Sequence, residues 1–273
     1  MTSAVSIARW LLDEASTGTT PTTCADNTGN GNTLQIDYSS GDAAWTSIAS
    51  GNGWEVTAAA NTAVGPRLYI ANASTTGNIG SSLDGDLEVS LILDGDFATP
   101  AASVTLFRIA NQDSGSACFA VTMDSSRNII LTWGAEYGSY GSYSFGAIPT
   151  GRTRLGIQID SAQATSTNRA FLRCNGSNVS VQGGGDAISL NQAFGIEPGY
   201  APKVTLMNRN AADNNPQGSL YYAELFTGSL TSTQKDDAST ALASDNDADW
   251  AAAAGSNANL LAGKLGGLLV GKL

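Results

Sequence analysis

Between Leu83 and Phe97 the chain reads LDGDLEVSLILDGDF. Successive side chains of an extended backbone point to opposite faces. Leu87, Val89, Leu91 and Leu93 therefore share one face, and Glu88 and Ser90 the other. Asp-Gly pairs bracket the run. The same period of two returns in SVTLFRIA (103–110), CFAVTMD (118–124), NIILTW (128–133), RLGIQID (154–160), RAFLRC (169–174), KVTLMN (203–208) and SLYYAELF (219–226). Turn signals separate these runs. DSSRN (124–128) reads as a hairpin connection, and Asn175-Gly176 is the two-residue turn that primed hairpins favour. Many short strands without intervening amphipathic helices mean an all-β antiparallel sandwich or barrel.

A chain of 273 residues, 42% of them hydrophobic, can bury a full core as one large β domain. Only 14% of residues are charged, and the net charge is −11. That balance argues against nucleic acid as a partner, because phosphate binding needs clustered Lys and Arg. It also opposes attraction to anionic membranes, and no apolar run of about 18 residues is present to insert into one. Histidine is absent, which removes Ser-His-Asp and Cys-His catalysis and every His-ligated metal site. Cys24, Cys118 and Cys174 form no CxxC pair and are expected as reduced thiols. The opening MTSAVSIARW has neither a basic region nor an apolar stretch of signal-peptide type, so synthesis in a cytoplasm without a signal peptide is expected.

The opening stretch runs from an apolar segment around Trp10 and Leu12 into a Ser/Thr/Gly/Asn loop ending in DNTGNGN (26–32). An Asx turn at Asp26, with glycines supplying positive φ, would make this loop an edge closure. The alternative is calcium, with Asp26, Asn30 and Asp37 as oxygen ligands. Asp84, Asp86 and Glu88 are the nearest thing to a pair of glycosidase carboxylates, but Asp84-Gly85-Asp86 reads better as a turn. Catalysis is not expected. The stretch WGAEYGSYGSYSF (133–145) gathers Trp133, Tyr137, Tyr140 and Tyr143. They are the candidate glycan or partner contacts, since Gly/Ser/Tyr loops make adaptable recognition surfaces. Packing of these tyrosines on a sheet or a neighbouring subunit is the alternative.

After the last strand, Thr231 can cap a short C-terminal helix, with Gln234 completing a capping box and Asp236 and Asp237 near its positive end. The tail NLLAGKLGGLLVGKL differs in kind. Its Leu260, Leu261, Leu265, Leu268, Leu269 and Val270 would be a liability if exposed, so residues 256–273 are read as an apolar C-terminal arm that docks on a neighbouring subunit. Residues 1–255 are the domain proper.

The order of these pieces resembles the laminin G-like, concanavalin A-like jelly-roll superfamily. ARWLLDEASTG (8–18) and the 26–32 loop look like that family's first strand and following loop. RLGIQID, then the strand ending at Asn175-Gly176, look like its central pair. YYAELF (221–226) followed by Leu230-Thr231 looks like its closing strand and terminal helix. The resemblance covers roughly residues 5–245 and implies two antiparallel sheets packed face to face, with loops at the edges. It also implies a structural calcium near the first loop in some members. The E-x-D-x-x-E motif of its glucanases is absent here. Lectin-like jelly rolls recur on virion surfaces. With the apolar arm and no leader, the resemblance implies a non-enzymatic structural protein on a phage-like virion, as a capsid decoration or tail-fibre module assembled in the host cytoplasm. Its expected partners are other virion proteins, copies of itself, and host surface polysaccharide. A free carbohydrate-binding lectin is the alternative.

Overall fold

The computed structural model describes residues 4–10, 12, 23–37, 43–47, 54–58, 67–70, 79–110, 117–134, 140–183, 187–196, 203–207, 216 and 218–228. Strands run in the order β1 Val5–Trp10, β2 Thr23–Cys24, β3 Leu34–Asp37, β4 Ala43–Ser47, β5 Trp54–Ala58 and β6 Arg67–Ile70. A one-turn helix, α1 Ile79–Leu83, precedes β7 Glu88–Phe97, β8 Val104–Ala110, β9 Ala117–Met123, β10 Asn128–Gly134, β11 Tyr140–Ala147 and β12 Arg152–Asp160. Then follow β13 Ala170–Cys174, β14 Ser177–Asn178, β15 Val181–Gly183, β16 Lys203–Leu206 and β17 Gly218–Thr227.

The strands form two antiparallel sheets. The first is ordered β14-β13-β12-β7-β17-β5-β4, with β1 also paired to β17. The second is ordered β15-β11-β10-β9-β8-β16-β6-β3-β2. This is a jelly-roll-like sandwich, as the family resemblance implies and one of the two architectures that the alternation left open. Phase decides which side chains enter the space between the sheets. Val89, Leu91, Leu93 and Phe97 of β7 face Phe107, Ile109, Phe119, Val121, Ile129, Leu131 and Trp133 within one buried cluster. Aromatic rings form its spine. Phe107 and Phe119 lie 5.5 Å apart, Phe119 and Trp133 6.0 Å in an edge-on arrangement, and Trp133 and Phe194 5.4 Å; tilted and edge contacts of this kind suit the ring quadrupoles.

The middle of the first sheet is buried on its outer side too. Ile92, Asp94, Tyr222, Glu224 and Phe226 are all at most 2% exposed and lie outside the inter-sheet cluster. Two ion pairs neutralise the charge there. Arg152 grips Asp94 through Nε and Nη2, the latter at 2.6 Å, and its guanidinium sits 4.2 Å from the ring centre of Tyr221. Arg9 meets Glu224 at 2.8 Å, and Glu224 also accepts from Ser6 Oγ at 2.5 Å and from the Tyr222 hydroxyl. Burial pushes the Asp94 carboxyl above the usual range, against the pull of Arg152.

Several elements depart from expectation. The first strand ends at Trp10, and Leu12 turns at a φ of 57° with its side chain fully buried. The Gly/Ser/Tyr stretch contains a full strand, β11, where a long loop was an option. Strands β2 to β6 and helix α1 lack a legible period and were not expected. The proposed C-terminal helix and the arm, with Leu260, Leu261, Leu265, Leu268, Leu269 and Val270, lie outside the described residues.

Candidate functional site

The 26–32 loop is built around one carboxylate. Asp26 Oδ1 accepts from the Arg9 amide at 3.1 Å, the Thr28 amide at 2.9 Å and Thr28 Oγ1 at 2.7 Å. Oδ2 accepts from the Asn32 amide at 3.0 Å. The side-chain Nδ2 groups of Asn30 and Asn32 both donate to the Ile7 carbonyl, and Trp10 Nε1 donates to the Asn32 carbonyl at 2.8 Å. The loop thus satisfies β1, whose ladder partner is β17, and links it to β2 of the other sheet. Of the three calcium candidates, Asp26 is already committed to four donors. Asn30 turns its nitrogen, which cannot ligate a cation, to Ile7. Asp37 ends β3, and its side chain is outside the described residues. Among the described residues no three acidic or cysteine side chains converge on a point.

The aromatic candidates separate by strand phase, and this corrects the expectation of one shared surface. Trp133 follows Ile129 and Leu131 inward, is fully buried, and donates Nε1 to the Gln192 carbonyl at 2.7 Å. Tyr143 is 4% exposed and donates its hydroxyl to the Ser166 carbonyl at 2.5 Å. Both are core residues. Tyr140 has the opposite phase and is 50% exposed. Tyr137 lies outside the described residues.

The register of the first sheet creates a different feature. Asp160 of β12 stands opposite Glu88, Thr227 of β17 opposite Val89, and Val5 of β1 opposite Thr227. Ends of four strands therefore meet at one edge. They border an open cleft of about 370 Å³ lined by Val5, Gly85, Asp86, Leu87, Glu88, Ala162, Thr227 and Gly228, a volume at the lower end of the range of small-molecule sites. Its backbone is pinned on several sides. The Gly85 amide donates to Phe194 and the Phe194 amide to Asp86, at 3.0 and 2.8 Å. The Ser161 amide donates to Leu87 at 2.9 Å. Ser90 Oγ donates to the Gly228 carbonyl at 3.0 Å. Asp84-Gly85-Asp86 is the expected turn, with Gly85 at a φ of 84°. This turn delivers Asp86 to the same cleft as Glu88, two of the three carboxylates that the sequence groups. Burial, with the added charge of Glu88, raises the Asp86 carboxyl above the usual range. Val5 is 60% exposed on the wall. Acceptors beside an apolar surface can hold a polyhydroxylated ring.

No protein-family model matches the sequence, and no curated protein matches it. Similar solved structures share its architecture. Domain 4 of AbnA, a GH43 extracellular arabinanase from Geobacillus stearothermophilus in complex with arabinotriose, has a TM-score of 0.52 at 16% identity, covering 88% of this chain and 100% of that domain. The sialidase of Trypanosoma rangeli, in complex with a difluorinated nononic acid, gives 0.58 at 11% identity, covering 88% of this chain and 33% of its own. The ligand binding domain of botulinum neurotoxin serotype D, in complex with N-acetylneuraminic acid, gives 0.55 at 9%, covering 86% and 50%. The chain thus spans a third to a half of the length of the latter two. At these identities the likeness is one of fold.

Proposed function

We propose that this protein is a non-catalytic carbohydrate-binding β-sandwich. The observation that supports this most is the end-to-end match to a domain solved with arabinotriose, over 88% of this chain and all of that one. The sialic-acid-bound neurotoxin domain of the same architecture points the same way. The test is a glycan array, in calcium and in chelator, probed with the full chain. Specific binding of any glycan class supports the reading, and a blank array under both conditions overturns it.

The finer reading places the sandwich on the surface of a phage-like virion, as a capsid decoration or tail-fibre module. Its support is the apolar 256–273 segment, which suits docking between subunits. Mass spectrometry of density-purified particles from the source culture tests it. Many copies per particle support a virion component. Recovery only in the soluble fraction supports a free lectin, which needs no docking arm.

A further inference from the structure

We infer that the strand-end cleft is the sugar subsite and that it selects uncharged rings, excluding acidic ones; this rests on the carbohydrate-binding reading above. The acidic pair does not carry the inference by itself. It stands on a solvent-open cleft of about 370 Å³, on a lining held by backbone hydrogen bonds from β7, β12, β17 and the Phe194 segment, and on Val5, an apolar side chain left 60% exposed at the wall.

Each wall has a matching part on a neutral sugar. Ionised carboxylates only accept hydrogen bonds, and a sugar ring offers a row of hydroxyl donors. Hydrogen bonds to a charged acceptor are the stronger kind. Val5, Leu87 and Ala162 offer apolar surface to the C–H face of a ring. An acidic sugar meets the reverse. Its carboxylate would approach Asp86, which already lies in the field of Glu88, with no Lys or Arg among the described lining residues, and like charges brought into contact repel. The net charge of −11 adds long-range repulsion. The specificity differs from that of the neurotoxin domain, which shares the fold and was solved with N-acetylneuraminic acid.

The experiment is calorimetric titration of the full chain at neutral pH with arabinotriose, cellotriose and maltotriose, alongside sialyllactose and trigalacturonate. It is repeated on Asp86→Asn/Glu88→Gln and on Val5→Arg. The last places a long cation in the cleft from an exposed position and leaves the core untouched. Binding by at least one neutral oligosaccharide is expected. It should weaken tenfold or more in the double variant and vanish in Val5→Arg, with the acidic sugars silent and circular dichroism unchanged. A glycan that binds all three proteins equally removes the cleft as the site and leaves the carbohydrate reading standing. Preference for an acidic sugar overturns the selectivity. A chain that binds no glycan here or on the array loses the carbohydrate reading, and the inference with it.

Discussion

Four hydrogen bonds converge on the carboxylate of Asp26, three of them from backbone amides. Removing the acceptor strands those donors beside β1, at a cost of roughly 1–3 kcal/mol for each that stays dry. Because Asp26 is only partly buried, water recovers part of this. Asp26→Ala is therefore expected to lower unfolding free energy by about 2 kcal/mol, measured by urea denaturation. The melting temperature of the native chain should be the same in calcium and in chelator, since the carboxylate is already committed. Cys174 makes a second prediction. Burial holds its thiol at about 11, against the smaller opposing effect of Arg127. The folded chain thus keeps that proton more tightly than an unfolded chain, whose thiol titrates near 8.5. Stability from this group is complete below that lower value and is lost as pH rises towards 11. Melting temperature should fall over that window, and fall less in Cys174→Ala. Maleimide should label none of the three buried cysteines until denaturant is added. Trp133 shows what was legible at this scale. Its phase with Ile129 and Leu131 already placed it inside, but local Gly/Ser/Tyr composition drew it into a surface reading. Phase was the better guide, because a strand cannot turn one residue around without turning its neighbours.

At the scale of elements, the strands read from period two are present because each has one face in the core. Residues 128–133 became β10, 154–160 became most of β12, and 219–226 lie within β17. Asn175 and Gly176 both take positive φ, 49° and 82°, as a primed two-residue turn requires. The strands β3 to β6 stayed hidden because LQID, AAWTS, WEVTA and RLYI are four or five residues long, too short for an alternation to stand out. The cleft was equally unreadable. Asp86 and Glu88 are near in sequence, but Val5 and Thr227 reach them only through pairing of distant strands. One packing constraint gives a sharp test. A Cβ on Gly141 of β11 would lie 2.4 Å from the backbone N and Cα of Ile188, and backbone cannot yield as a side-chain tip does. Gly141→Ala should cost about 2–3 kcal/mol by the usual scale of overpacking. Calorimetry would show it as a fall in melting temperature, while Gly151→Ala, where a Cβ meets nothing, isolates the smaller cost of a positive φ.

For the whole molecule, composition indicated the class correctly. A polar, turn-rich chain with 42% hydrophobic residues became two sheets around one buried cluster. Composition cannot assign the apolar tail, because the same leucines serve a docking arm or an added piece of core. Truncation separates the two. On the docking-arm proposal, deleting residues 259–273 leaves far-ultraviolet circular dichroism and urea midpoint unchanged and abolishes any incorporation into particles, read by sedimentation. A lower midpoint would mean that the tail belongs to the sandwich.

The pairing of β1 with β17 also bears on the order of events during synthesis. Ser6 and Glu224, which share a hydrogen bond, are 218 residues apart. At ribosomal speeds of about 5–20 residues per second, the first strand emerges roughly 10–40 s before its ladder partner exists. For that interval β1 waits without its ladder partner, which only the synthesis of β17, at Gly218–Thr227, supplies. Synonymous codons that slow elongation late in the message would lengthen the exposure, which makes soluble yield sensitive to translation rate in a way that no property of the finished fold would show.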